Sequence, residues 1–179
     1  IINVGIDDYE GGRLAAGHFL ENGHTNLAFI GPKALGNGLI MHRLQGFCSC
    51  LRDAGVSLPQ EHILPSGGEE LTPLLEKLTS GPNPVTGIFT TSDTCALDLY
   101  YSASCLSLRV PEDLSIIGFD DLPHSSRSLP PLTTVRQDIF RKAEVACELL
   151  MKHIREPESP AENIVLDVSL VVRGSVKKR

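Results

Sequence analysis

The sequence predicts an α/β protein built on mostly parallel sheets, and three observations carry that prediction. Short apolar runs alternate with amphipathic stretches along the chain, which is the pattern of βαβ units. The amphipathic stretches carry helix start and stop signals, with Asp at the front and Gly or Pro at the back. With 179 residues and 41% hydrophobic content, the chain can bury a substantial core in one domain or two small lobes.

The first strand is read over residues 2–6. Behind it, residues 10–21 set Leu14, His18 and Leu20 among the small Ala15, Ala16 and Gly17, and Asn22-Gly23 supplies a stop, so a helix packs closely on a sheet. A second strand is expected at 26–30. Residues 39–54 then space Ile40, Leu44, Phe47 and Leu51 at helical intervals up to Gly55. After a strand at 62–64, residues 70–78 repeat the device with Leu71, Leu74, Leu75 and Leu78, stopped by Gly81-Pro82. A strand at 87–90 leads to a helix capped by Asp93 that runs through Ala96, Leu97 and Tyr100 to about Cys105. The next strand is placed at 115–118.

Residues 129–134 read as a linker, because Pro130-Pro131 forces extended backbone, and a lobe crossing is expected there. The longest helix begins at Asp138, carries Phe140, Ala143, Ala146, Leu149, Leu150 and Ile154, and ends before Pro157. A polar segment at 156–162 precedes a final strand over 163–173.

Charge and cysteine content exclude several function classes. A formal charge of −6 argues against this stretch gripping a phosphate backbone, which needs clustered Lys and Arg. Lys177, Lys178 and Arg179 form the basic run and read as a solvated end. The five cysteines, Cys48, Cys50, Cys95, Cys105 and Cys147, hold no CxxC pair and read as reduced, mostly buried thiols, which favours a cytosolic compartment. No apolar run approaches the length that spans a bilayer, and the first residues lack the basic region of a signal peptide. GxSxG, Walker and HExxH motifs are absent, and Gly36 and Gly38 lack the third glycine of a dinucleotide fingerprint. The histidines have no metal spacing and read as core-edge or surface residues. Neither enzyme activity, a metal nor a cofactor is expected.

Three blocks carry a family resemblance. The first is Val4-Gly5-Ile6-Asp7 with Gly11-Gly12-Arg13-Leu14-Ala15 and Gly23-His24-Thr25-Asn26-Leu27-Ala28-Phe29-Ile30. The second is Arg43-Leu44-Gln45-Gly46-Phe47. The third joins Val110-Pro111-Glu112-Asp113-Leu114-Ser115-Ile116-Ile117-Gly118-Phe119-Asp120-Asp121 to Pro130-Pro131-Leu132-Thr133-Thr134-Val135-Arg136-Gln137. In this order and separation they resemble the LacI/GalR family of bacterial transcription regulators along nearly the whole chain.

The resemblance implies a periplasmic-binding-protein-like fold of type I: two doubly wound parallel-sheet lobes joined by a hinge, with a small molecule in the cleft. Residues 1–7 would be the last strand of the N-terminal lobe and 8–136 the C-terminal lobe. Residues 137–167 would return to the first lobe, and 168–179 would make the final crossing and tail. A helix-turn-helix, a hinge helix and several strands would lie upstream of Ile1, so the first lobe is incomplete in this chain and exposes apolar faces.

For the cleft, the family mapping points to Asn37, Leu39, Arg43, Ser92, Asp120, Gln137 and Ile139 as effector-binding residues. A sugar is read by planar bidentate groups, a carboxylate accepting two O–H bonds and a guanidinium donating two N–H bonds. Asp120 ends an apolar strand and faces the cleft or serves as a turn residue; Arg43 binds ligand or a surface carboxylate; Gln137 binds ligand or hinge backbone. Asp121 is assigned to structure and Asp93 to helix capping. Ser92 stands where Asn is usual in the family, Leu39 where polar residues often touch ligand, and Ile139 where some members place an aromatic ring. The pocket is therefore less polar than that of a simple hexose binder, and sugar phosphates and nucleobases stay open beside sugars.

The implied function is an effector-binding domain whose closure controls operator binding by the missing head. Partners would be a sugar or related metabolite, operator DNA through that head alone, and a second copy meeting at the helix containing Leu97, Tyr100, Tyr101 and Leu106, with no membrane contact. The alternative is an exported solute-binding protein of a sugar transporter, which shares the fold.

Overall fold

The computed structural model describes residues 2–32, 38–66, 71–158 and 160–179. The strands are β1 (Asn3–Ile6), β2 (Leu27–Pro32), β3 (Ile63–Ser66), β4 (Gly87–Thr90), β5 (Ser115–Asp120), β6 (Thr133–Gln137), β7 (Asn163–Leu166) and β8 (Val168–Val171). The helices are α1 (Asp8–Glu21), α2 (Gly38–Asp53), α3 (Leu71–Thr79), α4 (Asp93–Cys105) and α5 (Ile139–Arg155). Six strands form one sheet in the order β3-β2-β4-β5-β6-β8, parallel except where β8 runs antiparallel to β6. β1 and β7 pair in parallel as a separate two-stranded sheet, on which α5 packs.

The central strands are continuous apolar runs because both faces of the large sheet are covered. Leu27, Phe29, Phe89, Ile117 and Phe119 point to the layer of α1 and α2, where they meet Ala15, Ala16, Phe19, Phe47 and Leu51. The alternate residues Ala28, Ile30, Ile88 and Ile116 meet Leu75, Leu78, Ala96, Leu99 and Ala103 from α3 and α4. Phe47 stacks on Phe89 at 5.2 Å between centroids, which fixes α2 over the middle of the sheet.

Two glycines set how closely α1 and α2 approach. A Cβ at Gly12 would run into the Arg43 carbonyl, and one at Gly46 into the Tyr9 carbonyl, so the two backbones touch where α2 carries Arg43.

Several expectations need correction. The predicted linker at 129–134 ends in β6, because Thr133, Thr134 and Val135 complete the sheet beside β5 after the two prolines. The single strand expected over 163–173 is two strands in different sheets, divided at Asp167; its apolar run contains no turn residue to announce the break. Ser92, not Asp93, caps α4, its hydroxyl accepting from the Cys95 amide at 3.2 Å. His24 is fully buried rather than at an edge, and Cys105 and Cys147 are exposed.

The chain passes between the two sheets three times, at Asp7, Asp138 and Asp167. Asp7 and Asp138 each cap the helix that follows. Beyond β8 the tail crosses the amino ends of the strands: Ser175 Oγ donates to the Ile116 carbonyl at 2.6 Å and accepts from the Thr133 amide at 2.8 Å. The backbone of the basic end is thus docked, the Arg179 amide donating to the Asn22 carbonyl, although its side chains are exposed. Phe140, Leu150, Met151 and Ile154 on α5 and Val165 on β7 are exposed apolar side chains. Among the described residues, no helix is long and apolar enough to cross a membrane.

Candidate functional site

Ligands of open α/β sheets bind beyond the carboxyl ends of the strands, where the loops converge. That end of this molecule gathers Asp8 after β1, Arg43 from α2, Thr91 and Ser92 after β4, Asp120 at the end of β5 and Gln137 at the end of β6. Each position follows from the βα alternation: the strand delivers the residue to the edge and the helix behind it turns the chain away.

Arg43 organises one side of the corner. Its Nε donates to Asp8 Oδ1 at 2.7 Å and its Nη1 to the Thr91 carbonyl at 2.5 Å. The guanidinium lies over the Phe119 ring, 3.5 Å from the centroid, so cation–π attraction and two hydrogen bonds hold it flat. Asp8 is 2% exposed in its side chain and Arg43 12%, making this a buried ion pair.

Asp120 and Gln137 form the other side. Gln137 Nε2 donates to Asp120 Oδ1 at 2.6 Å. Asp120 has φ +117° and Asp121 φ +57°, a left-handed corner that side-chain-bearing residues rarely adopt. The surroundings hold it in place. Asp121 accepts from Arg136 Nε at 2.6 Å and from Arg173 Nη2 at 2.5 Å. Asp93, fully buried, accepts from the Leu122 amide at 2.8 Å and from Ser125 and Thr134 hydroxyls at 2.5 Å each.

These environments separate the carboxylates. Burial pushes Asp120 above the ordinary carboxylate range, against the opposing pull of the Gln137 amide and the nearby Arg43 charge. Burial likewise raises Asp93, opposed by hydrogen bonds from Ser125, Thr134 and Leu122. Burial also pushes on Asp121, but hydrogen bonds from Arg173 and Arg136 outweigh it and hold that group low. Among the described residues, no cluster of His, Cys, Asp and Glu could hold a metal ion.

Of the residues singled out from sequence, the structure brings Arg43, Asp120 and Gln137 to one corner. Ser92 adjoins the Thr91 carbonyl that Arg43 engages, with its hydroxyl spent on the α4 cap. Leu39 is half-exposed in the first turn of α2, one turn before Arg43. Ile139 lines a separate apolar cavity of about 470 Å³ with Ile2, Val4, Lys142, Ala143, Ala146 and Leu150. Asn37 lies outside the described residues. Asp8 was missed by sequence reasoning; its position two residues behind an apolar strand was the available signal. Asp93 is a buried anchor of the Asp120 corner rather than a cap, a role that depends on residues distant in sequence.

A mixed sheet covered by helices on both faces, beside a second small parallel sheet, is the architecture of the two-lobed binding-protein fold class. The chain belongs to the periplasmic binding protein-like domain family, which it matches over residues 16–176. Its relatives within that family are LacI-type transcription regulators. It is 34% identical to the HTH-type transcriptional repressor PurR of Vibrio vulnificus (strain CMCP6), over 94% of this chain and 51% of that protein. Among solved structures, it matches a LacI family transcriptional regulator from Enterococcus faecium with bound ribose. That match has a TM-score of 0.89 and 30% identity, covering 99% of this chain and 66% of the other. It also matches the complex of the transcriptional regulator CelR with cellobiose, with a TM-score of 0.86 and 27% identity over 97% of this chain and 54% of that one. The chain spans about half the length of the curated relatives it matches.

Proposed function

We propose that this chain is the effector-binding part of a LacI-type bacterial transcription regulator acting in the cytoplasm. A sugar or related small metabolite binds at the corner formed by Arg43, Asp120 and Gln137. The observation that carries this reading is the set of unengaged atoms there. Among the described residues, Arg43 Nη2, Asp120 Oδ2 and Gln137 Oε1 make no hydrogen bond, while the other polar atoms of the same groups are engaged. One donor and two acceptors, held by a rigid sheet end, suit a compact polar molecule.

In this reading Ser92 and Leu39 flank the ligand, Asn37 adds an amide, Ile139 stands apart on its own cavity, and the crossings at Asp7, Asp138 and Asp167 form the hinge. Residues 1–7 and 138–167 belong to one lobe, and 8–137 with 168–179 to the other. Ligand shifts the population toward a closed arrangement of the lobes, and this controls operator binding by a helix-turn-helix head in a homodimer. The protein performs no catalysis. Solved relatives that carry ribose and cellobiose support a sugar, and the repressor names of the curated relatives favour a regulator over a transporter component.

The test is thermal melting of the full-length protein against a panel of sugars, sugar phosphates and nucleobases. An effector present at about a hundred times its dissociation constant adds about 2.7 kcal/mol. The shift is expected to disappear in Asp120→Ala and Gln137→Ala. A shift that survives both would place the effector elsewhere.

A further inference from the structure

We propose that Asp121 is the positioning residue of the effector corner: by clasping Arg136 and Arg173 it holds Asp120 and Gln137 side by side, so that both can reach one ligand. The proposal deepens the effector-site reading above and rests on it.

Asp120 and Asp121 are consecutive residues with φ of +117° and +57°. Backbone of this kind is unfavourable for any residue with a Cβ and persists only where the surroundings impose it. The direction in which Asp120 presents its carboxylate therefore depends on what holds the corner. Asp93 secures the segment that follows, through the Leu122 amide and the Ser125 hydroxyl, and the middle of β6 through Thr134. None of these bonds reaches the end of β6, where Gln137 stands.

Asp121 supplies that link. Arg136 and Gln137 are neighbours on β6 and point to opposite faces of the sheet. Gln137 donates to Asp120 at 2.6 Å on one face, and Arg136 Nε donates to Asp121 at 2.6 Å on the other. In the strand register Asp120 lies opposite Arg136, so two crosswise bonds tie the same four residues. The second oxygen of Asp121 accepts from Arg173 Nη2 at 2.5 Å. Arg173 is itself fixed to the start of β6, its Nη1 donating to the Leu132 carbonyl at 2.8 Å and its amide to Thr133 Oγ1 at 2.9 Å. The Asp121 side chain is 9% exposed, so both charge-assisted bonds act where water competes little. Without the clasp, the end of β6 can turn and carry Gln137 away from Asp120.

The experiment is a set of double-mutant cycles on the full-length protein, read by urea unfolding. The Asp120–Gln137 coupling is measured with Asp120→Ala and Gln137→Ala, first in the wild-type background and then in Asp121→Asn. If Asp121 sets the pair, the coupling should fall to less than about half. Arg136→Met breaks the same link at a guanidinium that is half exposed, and should act alike even if Asp121→Asn fails to fold. Leu78→Ala, in the α3 layer away from both strand ends, lowers stability for other reasons and should leave the coupling as it was. A coupling unchanged in Asp121→Asn or in Arg136→Met overturns the proposal, because a merely structural residue would lower the unfolding midpoint alone.

The second readout is the melting shift given by ribose, cellobiose, glucose 6-phosphate or adenine. Binding weakened about tenfold by Asp121→Asn would halve the stabilisation from a ligand held at about a hundred times its wild-type dissociation constant. Retention of the whole shift in Asp121→Asn also overturns the proposal. Should none of the four shift the wild-type protein, the loss falls on the effector reading, and the ligand-free cycles still decide the role of Asp121.

Discussion

Gln137 reaches from the end of β6 to give its amide N–H to Asp120 Oδ1 at 2.6 Å, closing the corner between the last two parallel strands of the large sheet. The bond engages a carboxylate whose burial favours the neutral form. Asp120 therefore titrates above its unfolded value: its favourable contribution is complete below the ordinary carboxylate range and is lost as pH rises through the raised folded value. Gln137→Leu removes the bond that offsets this. The expected cost is about 1–2 kcal/mol at pH 7 and clearly less at pH 3, below both the ordinary carboxylate range and the raised folded value. Urea unfolding at the two pH values checks it; equal losses would show that the amide does not act on the carboxylate.

The Arg43–Asp8 pair is buried, so its two halves depend on one another. Arg43→Ala strands a carboxylate that is 2% exposed and should cost about 3–5 kcal/mol. Changing both partners, Asp8→Asn with Arg43→Met, should cost less than Arg43→Ala alone, because no buried charge is left without a partner. A double variant less stable than the single one would contradict this account.

Gly46→Ala should loosen the contact of α1 with α2. The added Cβ meets the Tyr9 backbone carbonyl, which cannot swing aside as a side chain would. Overpacking of this kind costs about 1–3 kcal/mol. Since α2 carries Arg43, the midpoint of chemical unfolding should fall and effector affinity should fall with it. Retention of both would mean that the helices separate without moving the site.

His24 gives the fold an acid-sensitive point. Its ring is fully buried, with Nε2 2.8 Å from the Lys177 carbonyl and Nδ1 2.9 Å from Thr86 Oγ1. Burial lowers its pKa, opposed by the Lys177 bond and helped by Arg179 and His18. A lowered folded pKa means that the unfolded state takes up the proton first. Stability is then full above the ordinary histidine value and declines as pH falls from there through the lowered folded value. His24→Gln keeps an N–H for Lys177 and should flatten this decline. Burial lowers His18 in the same sense, so some slope remains. Melting temperatures between pH 7.5 and pH 5 provide the check, and an unchanged slope would assign the acid sensitivity elsewhere.

The parts of the molecule legible in sequence are those whose signals are local. The apolar spacing of Ile40, Leu44, Phe47 and Leu51 marks α2, and Asp138 before a helical pattern marks the start of α5. Asp120 could be placed at the end of a strand because the run before it, Ile116 to Phe119, is apolar apart from one glycine. β6 was hidden behind two prolines, and the break at Asp167 was hidden inside a continuous apolar run, because neither sheet assignment depends on neighbouring residues. The α4 cap falls to Ser92 rather than Asp93 for a related reason: both residue types cap helices, and only the positions of Leu122, Ser125 and Thr134 show which of them is needed elsewhere.

By itself the sequence determined the α/β class, the helices with their periodic faces and the three blocks that mark the family. Hydrophobic spacing and turn chemistry act over a few residues and survive without a fold. Only the tertiary structure decided that Asp8 closes on Arg43, that Asp93 anchors the Asp120 corner and that Arg43 also turns onto the Thr91 carbonyl. Those pairings join residues 35, 41 and 48 apart in the chain, and which of several possible partners a side chain takes is set by strand order and helix approach.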